Sequence, residues 1–180
     1  MTADRQGTPP RFRLRLEVEQ IPYWAERYEE TPDEAEIVSV VAPRAKARGY
    51  LLADELAQLT RWKSPRTRSR VMSNDPELIE AVTRTALAAS REEIRIGILQ
   101  ILNGIGWPTA SVLLHFCAKD DYPILDFRAL WSLSVDVPGK YTFEFWWAYV
   151  LHVRGLKATT GLTMRTIDRA LWQYSREHQP

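Results

Sequence analysis

The stretch LNGIGWPTASVLLHF, residues 102–116, constrains the fold of this chain more than any other. Two glycines one residue apart, with a proline just behind them, stop one helix and start another within a few residues. Leu99 and Leu102 sit three apart before the turn, and Leu113 and Leu114 present a matching apolar face after it. Ile105, between the glycines, is placed to plug the turn into a core, and Ala110 lets the two helices come close. The pattern predicts a tight helical hairpin over about residues 93–118. Gly104 and Gly106 are both expected to permit left-handed backbone angles and to let a large group approach the main chain. The amides at the start of the second helix, with Thr109 in its first turn, suit a phosphate.

The rest of the chain reads as helix. TPDEAEIVSVVAPRAKARG starts with Thr31 as cap and Pro32 in the first turn, and Pro43 is expected to kink or end it. In YLLADELAQLTRW, Leu52, Leu56 and Leu59 share one face; after Asp75 and Pro76, the stripe is Leu78, Val82, Ala86 and Ala89. KYTFEFWWAYV reads as a buried helix, with strand as the competing reading, and DFRALWSL and TMRTIDRALWQYSRE complete the set. Residues 1–11 look like a disordered lead-in. FRLRLEVEQI alternates, so Phe12, Leu14, Leu16 and Val18 would share one face of a short strand or an extended arm. The expected fold is all-α: an arm over residues 1–20, then one compact helical domain over 21–180 containing the hairpin.

Composition narrows the class. At 45% apolar and 26% charged residues, the chain is built like an ordinary soluble globular protein, without a membrane-length apolar run or a signal-peptide core near its start. The expected location is the cytoplasm. One cysteine, Cys117, rules out an intramolecular disulfide, a cysteine-ligated iron–sulfur cluster and a four-cysteine zinc site. His115, His152 and His178 do not form a metal set, so no side-chain metal site is expected. The net charge of +1 is unevenly spread. Eight acids lie between Glu17 and Glu36 against Arg27 alone, a region suited to a protein partner; eight bases lie between Arg44 and Arg70 against Asp54 and Glu55. In RWKSPRTRSR, Lys63, Arg66 and Arg68 could grip phosphates and Trp62 could stack on a base or wedge into the duplex, or the cluster is a solvated loop with Trp62 as the last core residue of its helix.

The filled hairpin pattern resembles the helix–hairpin–helix motif of DNA-binding proteins. Over residues 93–135 it resembles the DNA glycosylases of the endonuclease III and adenine-glycosylase type. In that family a catalytic aspartate follows the hairpin by about 20 residues, at the start of the next helix; here Asp126 lies 20 residues after Gly106, between YPIL and FRALWSL. The resemblance implies that Gly104, Ile105 and Gly106 hold a phosphate of double-stranded DNA, with room for a monovalent cation on the hairpin carbonyls and no other cofactor. It implies that Asp126 would stabilise an oxocarbenium-like sugar and orient or deprotonate a water. Asp126 is equally a good N-cap for the helix behind it, and the two roles are compatible. Bifunctional members carry a lysine two residues after the second glycine, where this chain has Pro108, so Schiff-base chemistry is not expected there.

A pocket for a displaced base is built from aromatic rings, and Trp62, Trp107, Tyr122 and Trp131 are the candidates, although most of the seven tryptophans must be core. Asp168 is expected to pair with a neighbouring arginine. The function that follows is a monofunctional DNA N-glycosylase of base excision repair, nucleoid-associated, acting on a damaged, mismatched or modified base. A non-catalytic DNA-binding module and a protein-interaction domain are the competing classes.

Overall fold

Caps and prolines set the helix starts. Thr31 accepts from the Glu34 amide ahead of Pro32, and Asp75 from the Glu77 amide ahead of Pro76. Thr142 and Thr163 cap two further helices through the Phe145 and Thr166 amides. The computed structural model describes residues 10–180, and these are all-α. In chain order the helices are α1 (Ile21–Glu26), α2 (Pro32–Glu36), α3 (Ala42–Arg48), α4 (Ala53–Lys63), α5 (Arg68–Val71), α6 (Pro76–Ala88), α7 (Glu92–Leu99), α8 (Trp107–Cys117), α9 (Phe127–Ser132), α10 (Phe143–Thr160) and α11 (Met164–His178). Gly49 and Gly161, at φ +83° and +70°, close α3 and α10 in the left-handed region.

Three local expectations are corrected. Of the two outcomes expected at Pro43 the helix end is overturned: a π turn over Ile37–Val41 carries α2 into α3, with the Ala42 amide reaching back to Ile37. That one-residue change of register falls beside the proline that cannot donate. On α6 the inward stripe is Ile79, Val82, Thr83 and Ala86, so it runs one residue past Leu78, which is exposed. Leu52 likewise faces solvent as the residue before α4, while Leu56 and Leu59 are buried. KYTFEFWWAYV is helical, as α10.

The N-terminal segment is an arm and no strand forms among the described residues. The Arg13 and Arg15 amides donate to the Leu133 and Ser132 carbonyls at the end of α9, each at 2.9 Å. Phe12, Leu14 and Leu16 turn inward, as the alternation required, but Val18 leaves that face for a short 3₁₀ turn. The disordered lead-in expected over residues 1–11 lies largely outside the described residues.

α11 packs along α1, α9 and α10, while α8 packs against α3, α4 and α7, with α6 covering α7 and α4. One continuous cluster of apolar side chains joins these groups, with Trp146, Tyr122 and Tyr149 the largest fully buried members. No described helix is long and apolar enough to cross a membrane.

Candidate functional site

The hairpin forms as α7, a turn and α8, with Leu99, Leu102, Leu113 and Leu114 buried and Ile105 plugged into the core. The two glycines do different work. Gly104 is at φ +83°, and a Cβ there would lie 2.9 Å from Val71 Cγ2 and 3.2 Å from Arg70 Cβ. Gly106 is extended, at φ −106° and ψ −178°, and a Cβ there would meet nothing within 4 Å. The expectation of left-handed freedom at both positions is therefore corrected: only Gly104 uses it, to seat the turn against α5.

That contact brings the basic segment to the hairpin. Asn74, buried in the turn after α5, completes the join: its Nδ2 donates to the Val71 and Asn103 carbonyls, and its Oδ1 accepts from the Asn103 amide at 2.8 Å. A groove of about 640 Å³ runs between the two segments, walled by Arg66, Arg70, Gly104, Gly106 and Thr109. Thr109 is mostly buried, and Arg68 does not line the groove. Arg70, which the sequence reading did not single out, takes its place.

Asp126 stands at the end of this groove. It caps α9, with Oδ1 accepting from the Arg128 amide at 2.8 Å, and Oδ2 is ion-paired to the Lys63 ammonium at the end of α4. Lys63, Asp126 and Phe127 also line a second cavity of about 650 Å³, whose walls include Tyr28, Trp62 and Trp172. The ion pair thus sits on the boundary between a basic groove and an aromatic cavity. Reading Lys63 as a phosphate grip missed this contact, because the residues are 63 positions apart in the chain.

An ionic network adjoins the cavity, with Glu30, Arg165 and Asp168 in its lining. Arg165 ties to Glu34 and to Asp168, the latter at 2.5 Å, and Arg169 ties to Glu34 at 2.8 Å and Glu30 at 2.7 Å. The Tyr28 hydroxyl donates to Glu34 at 2.7 Å; burial and this carboxylate together push the Tyr28 hydroxyl up to about 12. Burial pushes the Glu34 carboxyl up, but the two guanidiniums and the Tyr28 hydroxyl hold it below the ordinary value. Asp168 pairs with an arginine as expected. Much of the acidic N-terminal region is committed internally, since Asp33 also pairs with Arg61 and Glu36 accepts from Gln58.

Of the four aromatic candidates only Trp62 reaches the cavity. Trp107 packs towards Trp146, and Tyr122 stacks on Trp146 inside the core with its hydroxyl on Glu92. Trp131 lies under Arg15 of the arm and beside Tyr174. Trp172, Phe127 and Tyr28 supply the rings that these three were expected to supply. Tyr28 and Phe127 are aromatics next to charges at helix boundaries, and Trp172 is one aromatic in the middle of α11 between Leu171 and Gln173, signals too common to select them. His115 is half-buried, with its ring nitrogen on the Tyr122 carbonyl, and desolvation lowers its pKa; Cys117 is buried, which pushes its thiol up to about 12. No cluster of three or more His, Cys, Asp or Glu suited to a metal occurs among the described residues.

No protein-family model matches the chain, and neither a curated protein nor a solved structure matches it.

Proposed function

We propose that the protein binds double-stranded DNA along the hairpin groove and hydrolyses an N-glycosidic bond at Asp126, as a DNA N-glycosylase acting on a damaged, mismatched or modified base. The observation that carries this reading is the position of Asp126, on the wall shared by a basic groove and an aromatic cavity. A backbone phosphate in the groove would lie against Arg66, Arg70 and the start of α8. A nucleotide turned out of the duplex would enter the cavity past Asp126 and meet Trp62 and Trp172. The carboxylate would then face the sugar carbon where positive charge develops, and could orient a water for attack. A monovalent cation on the hairpin carbonyls would add to the phosphate site, and a nucleoid location would follow from the substrate.

One observation favours a second reading, a DNA-binding module without catalysis. Both Asp126 oxygens are already occupied, one by the Arg128 amide and one by Lys63. Asp126→Asn separates the two. Asparagine keeps an oxygen for the cap but leaves the largely buried Lys63 ammonium without its counter-charge, so the melting temperature should fall somewhat while the fold and duplex binding persist. On a panel of duplexes carrying single altered bases, the wild type should release one class of base, and the Asn variant should lose that release while still binding the duplex. A wild type that releases none, or an Asn variant that releases base at the normal rate, removes the catalytic role.

A further inference from the structure

Around the aromatic cavity most charges are paired. Lys63 holds Asp126, Arg165 holds Glu34 and Asp168, and Arg169 holds Glu30 and Glu34. Arg128 and Arg176 differ. Both line the cavity, and both guanidiniums lie against the Trp172 indole, 5.4 and 5.5 Å from its ring centroid. Neither guanidinium has a carboxylate or carbonyl partner among the described residues. The one lining acid without a cationic partner among the described residues is Glu29, so the lining carries two unpaired cations and one unpaired acid. Arg128 also lies over the Phe127 ring at 5.0 Å, but aromatic faces offer each guanidinium only a modest attraction, and two like charges on one indole repel. An anion is the group that would satisfy both, and a guanidinium fits phosphate with two parallel hydrogen bonds.

The neighbouring wall is apolar and aromatic, and its volume is within the range of sites that take small organic ligands. We propose that Arg128, Trp172 and Arg176 form a nucleotide subsite, in which a base ring lies on the aromatic wall and a phosphate rests on the two guanidiniums. The inference rests on the reading of this cavity as the place a nucleotide enters, and adds that the ligand must bring its own phosphate. That phosphate belongs either to a strand, next to a displaced nucleotide, or to a free nucleoside monophosphate. The chemistry is the same in both cases.

The test compares the full chain with its Arg128→Gln/Arg176→Gln double variant by calorimetric titration. The ligands are a nucleoside, its 5′-monophosphate, an intact duplex and the same duplex with one unpaired nucleotide. A free-nucleotide site shows as a preference for the monophosphate over the nucleoside. A strand site shows as a preference for the duplex with the unpaired nucleotide over the intact one. In either case the double variant should lose the preference, by roughly tenfold or more. Its affinity for intact duplex, which rests on the groove, should stay within about twofold of the wild type. A wild type with neither preference overturns the subsite, and so does a double variant that retains it. Loss of intact-duplex binding by the wild type would instead strike the groove, leaving a monophosphate preference to stand by itself. If the double variant fails to fold, Arg128→Gln and Arg176→Gln taken singly carry the same comparison, because each side chain reaches solvent.

Discussion

Lys63 and Asp126 meet as an ion pair at the junction of two helix ends, the last residue of α4 and the N-cap of α9. Each charge sits at the helix terminus whose dipole favours it, the cation at a C-terminus and the anion at an N-terminus. The contact places an amine beside the proposed catalytic carboxylate, where the sequence expectation had none.

That amine sharpens the question of a covalent intermediate. A Schiff base needs an amine with a free lone pair that can reach the sugar carbon, and the Lys63 ammonium is instead held in an ion pair, donating a hydrogen bond to Asp126. Base release by water should therefore leave intact abasic sites, and borohydride should trap no protein–DNA adduct. An adduct that forms with the wild type and disappears in Lys63→Met would make Lys63 the nucleophile and end the hydrolytic reading.

The groove predicts which bases matter for DNA. Affinity for duplex should fall steeply with salt, and Arg66→Glu with Arg70→Glu should weaken every sequence alike and flatten that dependence. Arg68→Glu should do distinctly less, since Arg68 lies off the groove. Filter binding at several ionic strengths checks this, and equal losses at all three positions would mean a diffuse charge effect with no groove.

The two hairpin glycines should respond differently to alanine. Gly104→Ala forces a side chain to φ +83° and into Val71, at a cost of about 2 kcal/mol or more. Gly106→Ala meets open space at an ordinary backbone angle and should cost under about 1 kcal/mol. Urea unfolding of both variants measures the difference, and equal destabilisation would contradict the seat on α5.

Glu34 should govern part of the acid limb of stability. Its carboxyl, pushed up by burial and pulled down further by Arg165, Arg169 and Tyr28, ends below the ordinary 4.5. A carboxyl depressed in the folded state contributes stability above its unfolded value, and that stability is lost as pH falls through the folded value. The wild type should thus weaken below about pH 4.5. Glu34→Gln leaves two arginines short of their counter-charge, and should cost about 3–5 kcal/mol at neutral pH while making the acid limb shallower. Melting temperatures from pH 7 to pH 3 report both effects.

Local chemistry in the chain was enough to establish the helices, most of their starts and the hairpin. Thr31, Asp75 and Asp126 cap through atoms within a few residues of themselves, and the Leu99 to Leu114 stripes need only helical periodicity to be recognised. Register at element edges was already less secure. Leu52 and Leu78 carry the right hydrophobicity, yet they sit one helical position away from what the neighbouring helices cover. The candidate site depended on tertiary structure almost entirely. Which oxygen of Asp126 meets Lys63, which arginine faces the groove and which rings wall the cavity all follow from how α4, α9 and α11 are placed against one another. Nothing in the residues just before Trp172 distinguishes it from Trp131, since each ends an Arg-Ala-Leu-Trp tetrapeptide, at 169–172 and 128–131. Packing puts one against the cavity and the other under the N-terminal arm, because long-range burial is a property of the assembled core and local pattern carries no record of it.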